Sequence, residues 1–75
     1  MEKLLTILTD LHPDVDFETE TGLIDKGILD SFDIVTIVAE TDMDYGVAIP
    51  PEELTPANFN SAQALYDLIC RLQSS

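Results

Sequence analysis

Apolar residues recur at helical spacing in three stretches of this chain and are interleaved with acids in a fourth. Leu4, Leu5, Leu8 and Leu11 share one face of a first helix, with Ile7 beside it. Pro13 disfavours helical geometry at His12, so this helix should stop there. Residues 14–28 alternate acids with Val15, Phe17, Leu23 and Ile24, which reads as a long loop. A loop of that length in a small domain is functional or pinned by its own apolar residues, and Leu23, Ile24, Ile28 and Leu29 are the expected pins.

Residues 30–45 carry two conflicting signals. The β-branched run Ile34-Val35-Thr36-Ile37-Val38 favours a buried strand. Three features favour helix. Asp30-Ser31-Phe32-Asp33 resembles a capping box with Asp30 as N-cap, the segment then runs on without a breaker, and Gly46 follows where a helix would end. Helix is the better reading, with Ile34, Ile37, Val38, Thr41 and Tyr45 at core spacing. After Gly46, Val47 and Ile49 lead through Pro50 and Pro51 in a short extended connection. Thr55-Pro56 then opens a short helix over 57–59. Asn60 is expected to cap a last helix with Gln63 at its third position and a stripe of Leu65, Leu68, Ile69 and Leu72. The expectation is one all-α domain over residues 1–75, a bundle of three main helices and one short one.

Charge narrows the function. Fifteen acids face three basic residues for a formal net charge of -12, while 45 % of residues are hydrophobic, so the chain is a folded acidic domain and not an acidic tail. Such a field repels nucleic acid and anionic membranes and draws in basic protein surfaces. No stretch approaches the roughly 20 apolar residues that span a bilayer, and the first residues lack the apolar core of a secretory signal. Neither a nucleic-acid partner nor membrane insertion is expected. The single Cys70 excludes an internal disulfide and a multi-cysteine metal site, and a monomer in the cytoplasm is expected.

Ser31 is the candidate for chemistry, as the first residue of the second helix. A serine enzyme would also need a base, and nothing in the sequence brings the sole histidine, His12, to it. No catalytic residues are therefore assigned. Calcium loops begun at Asp14 or Asp42 fail at the sixth position, where Thr19 and Val47 stand in place of glycine, so no metal site is assigned. Taken alone, the Asp30–Asp33 pattern does no more than cap a helix.

The segment Leu23-Ile24-Asp25-Lys26-Gly27-Ile28-Leu29-Asp30-Ser31-Phe32-Asp33-Ile34-Val35 resembles the attachment segment of the acyl carrier protein superfamily. Tyr45-Gly46-Val47-Ala48-Ile49-Pro50, Thr55-Pro56 and the last amphipathic stretch follow in that family's order. The resemblance implies an acyl-carrier-protein-like four-helix bundle. It also implies a 4'-phosphopantetheine arm, taken from coenzyme A, on Ser31 beside Asp30. The partners implied are a phosphopantetheinyl transferase, an acyl- or aminoacyl-loading ligase and a downstream acyl-transferring enzyme, with the chain itself a carrier and not a catalyst. Asp-Ser-Phe with a β-branched helix is closer to aminoacyl carriers, such as D-alanyl carrier proteins, than to fatty-acid carriers. D-alanine, another amino acid, a fatty acid and a polyketide unit all remain open as cargo.

Val35 and Ala39 follow Ser31 at four and eight positions, on the serine's own side. With Phe32 they are expected to form an exposed apolar partner-binding strip, with Asp33, Glu40, Asp42 and Asp44 as its polar rim. The competing reading is an acidic helical protein-interaction module with no prosthetic group.

Overall fold

The computed structural model describes residues 2–74; Met1 and Ser75 lie outside them. Four α-helices and one turn of 3-10 helix follow in the order α1 (Glu2–Leu11), α2 (Ser31–Tyr45), the turn Pro51–Glu53, α3 (Pro56–Phe59) and α4 (Ala62–Gln73), with no strand among the described residues. The domain is thus a small helical bundle.

Local chemistry sets most of the boundaries. α1 ends at Leu11, two residues before Pro13, and His12 N–H closes its last turn on the Leu8 carbonyl at 3.0 Å. At the head of α2 the extended backbone of Asp30 lets its carboxylate accept from Asp33 N–H at 2.9 Å. The Asp33 carboxylate accepts in return from Asp30 N–H at 3.3 Å. Both halves of the capping box are formed, with aspartate in the place usually held by glutamate. At the other end Gly46 takes φ 65 and donates to the Asp42 carbonyl at 3.0 Å, a left-handed conformation that a β-carbon would strain.

α1 and α2 pack antiparallel. Leu4 N–H donates to the Tyr45 hydroxyl at 3.1 Å where α1 begins and α2 ends, and His12 meets Asp33 where α1 ends and α2 begins. Between these ends Leu4, Ile7 and Leu8 of α1 and Ile37 of α2 are buried, with Ile34, Val38 and Tyr45 half-buried beside them. Leu65, Leu68 and Ile69 of α4 and Phe59 of α3 close the core. The 14–28 loop adds Phe17 and Leu23 to it, and Leu29 follows. No helix among the described residues is long and apolar enough to cross a membrane.

Two expectations are corrected. Asn60 does not cap α4. Its backbone is still helical (φ -73, ψ -19), whereas a cap needs the extended geometry that Ser61 adopts (φ -146, ψ 158), and Ser61 Oγ accepts from Ala64 N–H at 3.0 Å. The connection at Pro50 and Pro51 is not wholly extended either. Pro51 begins a 3-10 turn, because its missing N–H and fixed φ suit a first helical position. Glu53 N–H closes that turn on the Pro50 carbonyl at 3.0 Å.

One core position is imperfect. Thr41 is fully buried on the inner face of α2, and its hydroxyl has no hydrogen-bond partner among the described residues. Two other helical threonines settle this need by bonding back one turn, Thr6 to the Glu2 carbonyl at 3.0 Å and Thr36 to that of Phe32 at 3.2 Å. A buried polar group left unpaired costs about 1–3 kcal/mol. Thr41→Val keeps the branched shape and removes the hydroxyl. It is expected to stabilise the fold by about 1 kcal/mol, seen as a higher urea midpoint at unchanged slope. A lower midpoint would overturn this account.

Candidate functional site

The site is built at the head of α2, where three local constraints meet. Asp30 must be extended to cap, Ser31 is therefore the first helical residue, and the residues after it turn by about 100° each. Ser31 is exposed and heads the helix beside the free N–H groups of its first turn. Its neighbour Asp30 is also exposed, but its carboxylate is turned inward onto the Asp33 amide.

Asp33 is the electrostatic centre of this corner. Its side chain is only 17 % exposed, and the carboxylate accepts from His12 Nε2 at 2.8 Å as well as from Asp30 N–H. The His12 hydrogen bond holds the Asp33 carboxyl below the usual carboxylate range; partial burial opposes it and the Asp30 amide adds to it. One carboxylate thus closes the cap of α2 and ties that cap to the end of α1. His12 is committed to Asp33, so the histidine that the sequence left unplaced lies at the site as a brace for the helix start. The Ser31 hydroxyl is left open to a reagent brought by another molecule.

The outward side of α2 is apolar. Phe32 is 79 % exposed and Val35 68 %. Ala39 is exposed as well, so the structure brings Phe32, Val35 and Ala39 together on the solvent side of the helix. Met43, 80 % exposed, continues the same line one turn on. At about 100° per residue these four side chains fall within about 80° of one another, in a strip about 16 Å long. Helical counting from Val35 and Ala39 reaches Met43, so its place was available from spacing alone. A contiguous apolar strip held in water marks a contact surface more often than an accident of composition.

The acids divide into two groups. Asp42 is exposed beside the strip, while exposed Asp44 and half-buried Glu40 line a groove between α2 and α1. Asp33, expected at the rim, has its carboxylate engaged by the cap and by His12. Comparisons with protein-family models, with curated proteins and with solved structures return no match, so the reading of this site rests on its own residues and geometry.

The His12–Asp33 bond has a pH signature. A carboxyl whose folded pKa is depressed adds stability above its unfolded value, about 3.9, and that stability is lost as pH falls through the folded value. His12→Ala is expected to cost about 1 kcal/mol at pH values above the unfolded value of Asp33, a difference from the parent that shrinks as pH falls through the depressed folded value. In the variant the carboxyl-carbon NMR titration of Asp33 should move up toward the ordinary range. An unmoved titration would remove His12 as the cause.

Proposed function

We propose that the chain is a carrier protein whose Ser31 hydroxyl takes a 4'-phosphopantetheine arm from coenzyme A, the Oγ–P bond forming as the pyrophosphate bond breaks and adenosine 3',5'-bisphosphate leaves, and that it presents acyl or aminoacyl groups to partner enzymes. The observation that carries this reading is an exposed serine at the first position of a doubly capped helix, beside an exposed apolar strip on the same helix. The all-helical bundle supports an acyl-carrier-protein-like architecture, with Ser31 at the start of its second helix.

The residues at the site fit such an arm. Covalent attachment to an exposed hydroxyl needs no cavity, and the helix start sets N–H dipoles beside the phosphodiester that would form there. Asp30 and Asp33 would otherwise set free carboxylates against that phosphate. Both accept backbone N–H groups in the cap, and Asp33 is further paired with His12. When bound, the arm supplies a terminal thiol that holds the cargo as a thioester. Cys70 sits half-buried on α4 and has no part in the attachment.

The protein's own work is presentation. The capping box fixes where Ser31 emerges, and the antiparallel contact with α1 holds the helix against the core. The strip of Phe32, Val35, Ala39 and Met43 offers an apolar footing to the transferase, to a loading ligase and to the enzyme that accepts the cargo. The acids of α2 steer basic partner surfaces toward it. The geometry of Ser31 leaves the cargo open among D-alanine, other amino acids, fatty acids and polyketide units. An acidic interaction module without a prosthetic group is the competing reading, because the strip could serve docking by itself.

Intact mass decides between them. After incubation with coenzyme A, magnesium and a broad-specificity phosphopantetheinyl transferase, the parent should gain one phosphopantetheine and Ser31→Ala none. No addition to the folded parent with two unrelated transferases would leave the interaction module as the better reading. Phe32→Ala, which removes an exposed contact and no core packing, should keep parental helicity. It should slow transfer to Ser31 on the order of tenfold, the size of a docking hot spot. Parental transfer rates in that folded variant would sink the docking role of Phe32.

A further inference from the structure

Asn60 stands where α3 has ended and α4 has not begun, and its polar groups reach across to the loop that leads into Ser31. Its carbonyl accepts from Leu23 N–H at 2.9 Å. Its side-chain Oδ1 accepts from both Ile24 N–H at 3.0 Å and Asp25 N–H at 3.1 Å, while Nδ2 donates to the Asp25 carboxylate at 3.3 Å. The Leu23 carbonyl in turn accepts from Leu29 N–H at 2.9 Å, and Leu29 is followed by the capping Asp30. Two hydrogen bonds therefore lead from the Asn60 carbonyl through Leu23 to Leu29, the residue just before the one that caps α2.

We propose that Asn60 is a positioning residue for Ser31, clamping residues 23–25 against the α3–α4 corner and so fixing where the Asp30 cap and the serine emerge. An amide suits this role, since one planar group accepts two backbone N–H groups on its oxygen and donates to a carboxylate from its nitrogen. Aspartate would set one carboxylate against another. The cap of α4 is supplied by Ser61, so the Asn60 side chain is not needed there. The bonded turn itself is tight. Lys26 N–H closes on the Gly22 carbonyl at 2.8 Å, and Gly27 closes on that of Ile24 at 3.0 Å with φ 71. A clamp on 23–25 is thus transmitted along the chain and is not absorbed by slack.

The effect on arm transfer rests on the carrier reading; the clamp itself does not, and the test separates them. Four folded proteins are compared, namely the parent, Asn60→Asp, Asp25→Asn and the double variant, in which amide and carboxylate are exchanged across the pair. Amide hydrogen exchange at Ile24 and Leu29 is read first, against amides in the middle of α1 and α4. Asn60→Asp should speed exchange at both loop amides on the order of tenfold, the effect of losing one charge-assisted bond, while the helix amides keep their protection. In the double variant the amide at position 25 donates to the carboxylate at position 60, and exchange should return to within about twofold of the parent. Transfer to Ser31 should follow, with kcat/KM falling on the order of tenfold in Asn60→Asp and recovering in the double variant. Parental exchange at Leu29 in Asn60→Asp, or no recovery in the double variant, would overturn the clamp. If Asn60→Asp unfolds outright, Asn60→Ala removes all three side-chain bonds without adding charge, and its exchange at Ile24 and Leu29 should rise at least as much. A parent that takes no arm would fell the carrier reading, and the exchange data would still decide the role of Asn60.

Discussion

The connection between α1 and α2 has no helix of its own, and its backbone cannot be buried unless its polar groups find partners. Leu23 is where this constraint is met. Its side chain is fully buried, its N–H bonds to the Asn60 carbonyl and its own carbonyl takes the Leu29 N–H. A loop residue can enter the core on those terms because nothing polar is left behind. Once Leu23 and Leu29 are fixed, Asp30 has a place, and the capping box can form there. α2 then runs from that point to Tyr45, whose hydroxyl meets α1. The position of the exposed serine is thus a consequence of how the loop is buried.

The conflicting signals along α2 have a structural cause. In a strand, Ile34, Thr36 and Val38 would share one face, with Val35 and Ile37 on the other. In the helix, Ile34, Ile37, Val38, Thr41 and Tyr45 gather on the inner side, and Phe32, Val35, Ala39 and Met43 on the outer. Only the inner set has partners in the core. The outer apolar set blurs the amphipathic pattern that normally announces a helix, and the cap residues at each end resolve the conflict. A helix that is apolar on two sides has one side more than this core requires.

What could be read from the chain was what depends on neighbours in sequence. The stop before Pro13, the Asp30 cap, the Gly46 terminus and the stripe of α4 all follow from local rules, and so does the exposed place of Ser31. What could not be read depends on partners far away. Asn60 and Ser61 are both good capping residues, and the choice falls to Ser61 because Asn60 is drawn to Asp25, 35 positions earlier. His12 meets Asp33 across 21 positions, and no spacing rule announces that bond. Met43 is a different case, since helical counting reaches it and only its exposure needed the structure.

The cationic side chains of this protein are few, and the structure uses each of them. Arg71 reaches Glu53 from α4 with a fork of two bonds, at 2.8 and 3.3 Å, binding the 3-10 turn to the last helix. Lys26 holds Glu20 within the loop at 3.0 Å. Lys3 lies near the Tyr45 ring and bonds the Asp44 carbonyl at 3.5 Å, and His12 braces Asp33. Three of them join separate segments, and Lys26 closes the loop on itself. Three lysine and arginine side chains against fifteen acids leave a formal net charge of -12 to act outward. Under the carrier reading this division has a kinetic meaning. Long-range attraction to basic surfaces hastens encounter, while a strip of four side chains is a small footing of the kind that transient encounters use. Fast arrival with weak retention is what a protein needs if it must leave one enzyme before meeting the next.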